Sequence, residues 1–227
     1  MNRNSNVYTI IYASVMVVAV AVVLAFTSES LKSFQKENAE NDKRQQILRS
    51  INVRVSAQEA KAKYSELITD AFLINEQGER TEGDAFAEDV VKAFARKVYP
   101  VFVADIDGQT KYVMALAGSG LWGPLWGYIS VNDDCNTVFG ADFGHASETP
   151  GLGAEIAAAP FSNRFIGKHL FAGETFKSVA IVKPGNSAEG QDYVDGISGG
   201  TITSQKVGLM LFDSLKEYTK FLTSQNK

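Results

Sequence analysis

Cysteine and histidine are scarce in this chain, and their scarcity excludes several kinds of site. Cys135 is the single cysteine among the 227 residues. An intrachain disulfide and a C-x-x-C redox or metal pair are therefore both excluded. The two histidines, His145 and His169, lack the close spacing that zinc ligands show in sequence. We therefore expect no cysteine- or histidine-based metal site.

The chain also lacks a block of charge of one sign. It carries 22 Lys and Arg residues against 26 Asp and Glu, which gives a net charge of −4, and the two signs are interspersed. Without a basic patch there is no electrostatic footprint for nucleic acid, so we expect no such partner. The G-x-G-x-x-G fingerprint is missing and no βαβ alternation is visible, which argues against a Rossmann-type nicotinamide site.

Charged residues are absent from Val7 to Phe26, a run of 20 residues. A helix of that length spans the roughly 30 Å hydrocarbon core of a bilayer. Two alternatives are a cleaved signal peptide, with a small-residue site at 23–25, and a buried helix of a soluble protein. The apolar region of a signal peptide is usually shorter, about 7–15 residues, and a soluble helix would show a polar stripe. We therefore predict an uncleaved transmembrane anchor over residues 7–26.

Charge alone leaves the orientation of this anchor open. Arg3 precedes the span, whereas Lys32, Lys36, Lys43 and Arg44 follow it. By the positive-inside rule this distribution would place the long domain in the cytoplasm. However, acidic residues are interleaved with these basic ones, and long domains cross largely regardless of such charges.

The remaining chain predicts a polar helical stalk over residues 27–50 and one α+β domain over residues 51–227. Helices are expected over residues 57–70 and 84–94, with Asp84 as the N-cap of the second. Short apolar runs between turn residues predict a largely antiparallel sheet with flanking helices. The predicted strands are 101–108, 111–116, 128–131, 137–143 and 179–182. Apolar spacing of three and four predicts an amphipathic helix from about Thr203 to Phe221.

Three glycine-rich loops, at residues 117–127, 144–155 and 195–204, could bind a ligand, and each also has a structural explanation. In the first loop Trp122 could cover a flat ring, or Trp122 and Trp126 could pack in the core. The second loop could offer backbone N–H groups and a hydroxyl, or form a type II turn at Pro150–Gly151 with Glu148 in solvent.

The third loop precedes the final helix, whose free N–H groups and dipole favour an anion at that end. The structural explanation is an N-cap loop, with Thr203 or Ser204 capping the helix.

The segment Asp195-Gly-Ile-Ser-Gly-Gly-Thr201 resembles the flavinylation motif D-x-x-S/T-G-A-T of the FMN-binding domain family. In that family a flavin transferase esterifies the final threonine with the phosphate of FMN. Gly200 stands where the family usually has alanine, which leaves the hydroxyl in place. Residues 119–123 and 145–153 resemble the family's other two flavin-facing loops. The layout with an anchor, and the stretch 161–168, resemble the C subunits of sodium-translocating NADH:quinone reductases.

The resemblance implies one FMN bonded covalently to Thr201. It also implies a cofactor site formed by Ser198, Gly199, Gly200, Ser119, Gly120, Leu121, Trp122, Glu148, Thr149, Gly151, Leu152 and Lys183. Trp122 and Leu152 would pack on the ring, while Glu148 and Thr149 would meet its polar edge or the ribityl chain. Lys183 would stabilise reduced flavin or the phosphate, or else be a solvated surface lysine. His145 would hold its loop.

The resemblance further implies an electron-relay subunit without a catalytic residue of its own. Its partners would be the other subunits of a multi-subunit membrane NADH:quinone reductase and, for maturation, a flavin transferase. Because the transferase works outside the cytoplasm, the main domain would be periplasmic, on a single-pass anchor in the bacterial inner membrane, with residues 1–6 cytoplasmic. The alternatives are the G subunit of an Rnf-type complex, which uses a different electron donor, and a non-redox membrane-tethered scaffold.

Overall fold

The computed structural model describes residues 6–225. Residues 1–5 of the predicted cytoplasmic segment and residues 226–227 of the predicted domain lie outside the described residues. The chain divides into two compact units, Met1–Asp42 and Lys43–Lys227. The second unit thus begins before residue 51, where the composition indicates the start of the folded domain.

Helix α1 runs without a break from Asn6 to Ser50, so the predicted anchor and the predicted stalk form one helix. The large apolar side chains of the charge-free run are mostly exposed, for example Val7 at 63% and Phe26 at 75%. An 18-residue window within it has a mean hydropathy of 2.6. By length and composition the helix can cross a membrane. It is the one helix of this kind within residues 6–225, and it fits a single-pass membrane anchor.

A six-stranded antiparallel sheet forms the centre of the second unit, in the order β2-β1-β3-β4-β5-β6. The strands are β1 (Ile68–Ile74), β2 (Arg80–Thr81), β3 (Tyr99–Ile106), β4 (Gln109–Ser119), β5 (Pro124–Val131) and β6 (Val138–His145). Strands β3 and β4 meet at Asp107 and Gly108, whose positive φ angles of 53° and 78° match a type I′ turn. The predicted α+β class with a largely antiparallel sheet is confirmed.

The first predicted helix of the domain is shorter than expected. Helix α2 (Ala57–Leu67) starts with a capping box between Ser56 and Glu59, but it ends at Leu67 and the chain continues directly as β1. The prediction of helix as far as Asp70 was therefore wrong. Residues 68–74 pair with β3, and this long-range pairing overrides the local helical pattern.

The second predicted helix starts later than expected. Helix α3 spans Val90–Ala95, and Asp89 caps it by accepting a hydrogen bond from the N–H of Lys92. Asp84, the predicted cap, instead accepts hydrogen bonds from the N–H groups of Phe86 and Ala87 within a turn. Both aspartates accept hydrogen bonds from backbone N–H groups that follow them in the chain, but only Asp89 caps a helix.

Helix α5 (Thr201–Gln225) covers one face of the sheet and confirms the predicted amphipathic helix. Its buried apolar positions share a core with Met114, Leu116 and Ile129 of the sheet. The helix lies directly on β4. The Ser214 hydroxyl is 3.1 Å from both the N–H and the carbonyl oxygen of Ala117. This contact fixes the position of α5 along β4.

The opposite face of the sheet packs against the end of α1. Ile47 and Leu48 are fully buried with Val113 and Ala115 of β4. Because successive strand residues point to opposite faces, β4 supplies both cores in alternation. Arg49 forms an ion pair through two hydrogen bonds of 2.8 and 2.9 Å to the carboxylate of Asp142 on β6.

The chain between β6 and α5 is mostly irregular. Its short elements are two 3₁₀ turns (Gly153–Ala157 and Asn163–Phe165), α4 (Ala159–Ser162), the hairpin β7 (Phe171–Ala172) and β8 (Thr175–Phe176), and the parallel pair β9 (Ala180–Val182) and β10 (Tyr193–Asp195). Strand β9 confirms the strand expected at 179–182. Strand β10 was not predicted, and it ends where the third glycine-rich loop begins.

Candidate functional site

The three glycine-rich loops meet at one end of the sheet because the elements that carry them are neighbours. The first loop joins β4 to β5, and Gly120 closes it by donating a 2.7 Å hydrogen bond to the carbonyl of Gly123. The second loop follows β6, which pairs with β5 up to His145. The third loop leads into α5, which lies on β4. The fold therefore assembles segments that are far apart in sequence.

A depression of about 250 Å³ opens between these loops. It is lined by Leu121, Trp122, Glu148, Thr149, Leu152, Gly153, Gly199, Gly200, Thr201, Ile202 and Thr203. Most of the residues predicted to surround the cofactor are in this lining. Sequence reasoning missed Gly153, Ile202 and Thr203, although each lies within two residues of a predicted position and the two side chains belong to the first turn of α5.

Apart from Lys183, four of the predicted residues lie outside this lining. Ser119 is the last residue of β4 and pairs with Pro124. Oε1 of Glu148 occupies the space where a side chain at Gly120 would begin. Gly151 has a φ of +75° and open space where a side chain would point, while Ser198 is exposed. These residues shape or flank the loops.

Lys183 is exposed and borders a second, much smaller depression on which Thr201 also lies. The other residues around it are Ile181, Val182, Pro184, Gly196, Ile197, Ser204 and Gln205. Thr201 therefore stands between two depressions, the larger one edged by Trp122 and the smaller one edged by a lysine.

Exposed apolar side chains surround Thr201. Trp122 is 63% exposed, Ile202 51%, Leu121 48% and Leu152 44%. The interpretation that packs Trp122 in the core is therefore wrong. Exposed apolar groups collected around one depression are typical of a binding site for a flat apolar ligand.

The carboxylate of Glu148 lies in the wall of the larger depression and connects all three loops. Its Oε1 atom accepts hydrogen bonds from the N–H groups of Leu121 (2.8 Å) and Trp122 (3.0 Å). Its Oε2 atom accepts a 2.6 Å hydrogen bond from the hydroxyl of Thr203. Glu148 is only 4% exposed, so the interpretation that leaves it in solvent is wrong.

These contacts decide the ionisation of Glu148. Burial favours the neutral acid, but the hydrogen bonds from Thr203, Trp122 and Leu121, with a smaller contribution from His145, favour the carboxylate more strongly. The pKa of Glu148 is therefore below its ordinary value, and the group is ionised at neutral pH. The N–H of Glu148 donates to Nδ1 of His145 (3.2 Å), which fits the loop-holding role expected for this histidine.

Two glycines of the motifs make room for this carboxylate. A Cβ atom on Gly120 would overlap with Oε1 of Glu148. A Cβ atom on Gly153 would lie 2.7 Å from Oε2 and would also overlap with the hydroxyl of Thr203. Glycine at these positions is thus explained by a side chain of the protein itself.

The start of α5 differs from the capped arrangement considered above. The helix begins at Thr201, so neither Thr203 nor Ser204 is its N-cap. The Thr203 hydroxyl donates to Glu148, and the Ser204 hydroxyl accepts a 2.9 Å hydrogen bond from the N–H of Ile197. Both side chains fasten the loops to the helix.

Arg164 holds the beginning of the third loop. Its Nη1 atom donates hydrogen bonds to the carbonyl oxygens of Asp195 (2.6 Å) and Gly196 (3.3 Å), and its Nε atom donates to that of Pro160. The family resemblance includes the stretch 161–168, but it did not indicate this contact.

Within residues 6–225 no cluster of three or more His, Cys, Asp or Glu side chains forms a metal site.

Comparison with known proteins identifies a family and several relatives. The FMN-binding domain family matches residues 120–216, a segment that contains the larger depression. The C subunit of the Na(+)-translocating NADH-quinone reductase of Haemophilus ducreyi is 31% identical, over 91% of this chain and 88% of the relative. The corresponding protein of Vibrio anguillarum is 29% identical, over 91% and 89%.

A solved structure gives the same assignment, and a second one shares the fold. The crystal structure of the corresponding protein from Parabacteroides distasonis is 69% identical and covers 86% of this chain and 98% of the solved chain, with a TM-score of 0.85. The NqrC structure of Shewanella oneidensis, 24% identical with a TM-score of 0.69, has the same fold and covers 82% of this chain and 98% of its own. The chain belongs to the family of the C subunits of Na(+)-translocating NADH-quinone reductases.

Proposed function

We propose that this chain is the electron-relay subunit of a sodium-pumping NADH:quinone reductase and carries one FMN through a phosphoester to Thr201. Membership of the family supports an electron-transfer subunit with an FMN-binding domain. The observation that carries the finer proposal is the position of Thr201. Its hydroxyl lies at the first residue of α5, beside the depression edged by Trp122 and Leu152.

The residues present fit this cofactor. Trp122 and Leu152 offer exposed apolar surface for a flat ring. The first N–H groups of a helix have no partner within the helix, and the dipole favours negative charge at that end. A phosphate esterified to Thr201 would therefore be stabilised by the start of α5, and Lys183 borders the adjoining smaller depression.

The size of the depression favours a covalent link. Pockets that enclose small ligands usually measure about 300–1,000 Å³, whereas this one has a volume of about 250 Å³. A depression of this volume would leave part of a bound flavin ring uncovered. A bond to Thr201 would retain the cofactor while leaving part of the ring accessible to a redox partner.

The chain's own residues serve binding and positioning. When bound, FMN supplies the one- and two-electron redox chemistry that side chains lack. Water would be excluded from part of the ring by Trp122, Leu152 and Ile202. The hydrogen bonds that Glu148 accepts from Leu121, Trp122 and Thr203, here called the clasp of Glu148, would fix the loops around the ring. Electron transfer needs only proximity between cofactors, so no catalytic residue is required.

The test is the attachment of flavin to variants of the full-length chain. Each variant is coexpressed with a flavin transferase and examined by in-gel flavin fluorescence after denaturation. We expect fluorescence in the wild type and in Thr149→Ala, which removes another hydroxyl at the same depression, and none in Thr201→Ala. Fluorescence that persists in Thr201→Ala would show another attachment site, and a colourless wild type would favour a non-redox scaffold.

We also propose that the domain faces the periplasm, because a phosphothreonyl flavin is attached outside the cytoplasm in the family this chain resembles. Cys135 is 3% exposed, so it reacts poorly with thiol reagents in the folded protein. A cysteine introduced at the exposed Ser187 would therefore report the orientation of the domain. We expect a membrane-impermeant maleimide to label Ser187→Cys in intact spheroplasts; labelling only after lysis would contradict the orientation.

A further inference from the structure

A buried carboxylate in the wall of a redox site requires an explanation, because an ion is costly to remove from water unless its charge is stabilised. Glu148 accepts three hydrogen bonds, and all three donors are neutral groups: two backbone N–H groups and the Thr203 hydroxyl. Its negative charge is therefore solvated but not neutralised. The structure keeps a fixed negative charge at the edge of the depression.

The contacts of Glu148 also set the relative position of the two key side chains. Oε1 holds the backbone of Trp122, whose ring edges the depression. Oε2 holds Thr203, which belongs to the same helical turn as Thr201. A single carboxylate thus connects the aromatic wall of the site with the turn that carries the attachment residue.

Resting on the function proposed above, we propose that Glu148 is a positioning residue that connects the backbone of Trp122 to the first turn of α5, and that its charge lowers the reduction potential of a flavin bound at Thr201. Reduction of the ring by two electrons adds negative charge to the extent that fewer than two protons are taken up. A fixed negative charge nearby opposes that gain by Coulomb repulsion, which is stronger in partly buried surroundings than in water. The oxidised flavin is favoured as a result.

Glu148→Gln separates charge from position, because glutamine keeps the shape and can still accept from the N–H groups and donate to the Thr203 hydroxyl. The full-length flavinylated chain is titrated anaerobically with dithionite, which supplies the electrons, while water supplies the protons. We expect the equilibrium to shift towards reduced flavin by about tenfold, equivalent to about 30 mV for a two-electron couple. The control is Glu155→Gln, which removes an exposed carboxylate nearby and should leave the midpoint almost unchanged.

Glu148→Ala tests position. In a Trp126→Phe background Trp122 is the only tryptophan, so the fluorescence anisotropy of the chain without flavin reports the mobility of this side chain. We expect the anisotropy to fall in Glu148→Ala and to be retained in Glu148→Gln. Thr203→Val, which removes one donor with little change of shape, should give a smaller fall and provides a second variant if Glu148→Ala does not fold.

The outcomes separate this proposal from the function on which it rests. An unchanged midpoint in Glu148→Gln would overturn the effect of charge, and unchanged anisotropy in both Glu148→Ala and Thr203→Val would overturn the positioning role. If the wild-type chain acquires no covalent flavin, the proposed function fails and the claim about potential falls with it. The anisotropy measurements need no flavin and would still decide the positioning role.

Discussion

Asp142 and Glu148 lie six residues apart in the chain and both carboxylates are buried, yet the protein satisfies them in different ways. Asp142 pairs with the guanidinium of Arg49 and holds the end of α1 on the sheet. Burial nevertheless raises the pKa of Asp142, although the hydrogen bonds and charge of Arg49 oppose that effect. Glu148 has only neutral hydrogen-bond partners, and its pKa is lowered.

The pKa of a buried carboxylate thus depends on the balance between burial, which raises it, and hydrogen bonds and nearby positive charge, which lower it. Burial dominates at Asp142, and the hydrogen bonds dominate at Glu148. The pair of Asp142 and Arg49 connects two elements of the core. The clasp of Glu148 connects three loops whose other surfaces remain open around Thr201. We therefore expect changes in the first region to reduce stability and changes in the second to alter the flavin site.

The largest loss of stability is expected when the ion pair of Arg49 and Asp142 is broken. Arg49→Ala leaves the buried carboxylate of Asp142 without its main partner, which typically costs about 3–5 kcal/mol. The raised pKa of Asp142 eases protonation, so we expect about 3 kcal/mol, measured as a lower urea midpoint. Flavin content per folded molecule should not change. Arg96→Ala at the exposed pair with Glu88 is the control and should cost about 0–1 kcal/mol; equal losses would contradict the distinction.

The next largest effect is expected when a methyl group is added beside the carboxylate of Glu148. Gly153→Ala places a methyl group against the Thr203 hydroxyl and Oε2 of Glu148, so the loops must shift. We expect a loss of about 1–3 kcal/mol, the usual cost of overpacking, together with a lower yield of covalent flavin. The change in urea midpoint and the in-gel flavin fluorescence measure the two effects.

A matched glycine should behave in the opposite way. Gly208 lies within α5, and the nearest atoms to an added Cβ would be those of Ile181 at 3.7 Å, an ordinary contact. Because alanine favours helix over glycine, Gly208→Ala should stabilise the chain by about 0.5–1 kcal/mol with no change in flavin content. A destabilised Gly208→Ala variant would mean that α5 and β9 are packed more tightly than these distances indicate.

The sequence predicted those parts of the fold whose signals are local. Local sequence patterns predicted the turn at Asp107–Gly108, the strands on either side of it and the apolar face of α5. All three were confirmed. Strand β1 was missed because no turn residue separates Leu67 from Ile68, and only the pairing with β3 distinguishes strand from helix there.

The site was predictable to a similar extent. The glycine-rich loops indicated the region where the structure has a depression. The reason for Gly120 and Gly153, however, lies in the carboxylate of Glu148, which is distant from Gly120 in sequence. The hydrogen bonds of Glu148 to Thr203 and of Arg164 to the third loop also join segments that no local pattern connects. Such contacts become visible only once the strands have brought the loops together.

The smallest expected effect is the pH dependence of the two carboxylates, which should have opposite signs. Glu148 has a lowered pKa in the folded state, so its contribution to stability is present above the unfolded pKa of about 4.3 and is lost as the pH falls through the folded value. Asp142 has a raised folded pKa, so its contribution is fully present below the unfolded pKa of about 3.9 and declines as the pH rises through the folded value.

The measurement compares urea midpoints of the wild type, Glu148→Gln and Asp142→Asn between pH 3 and pH 7 at constant ionic strength. Neither substituted amide titrates in this range, so each difference from the wild type isolates one carboxylate. The wild type should gain stability relative to Glu148→Gln as the pH rises from 3 towards 5, because the unfolded chain releases its proton later than the folded protein does. Relative to Asp142→Asn it should lose stability as the pH rises. If both differences change in the same direction, the two carboxylates do not have opposite pKa shifts in the folded protein, and the comparison is wrong.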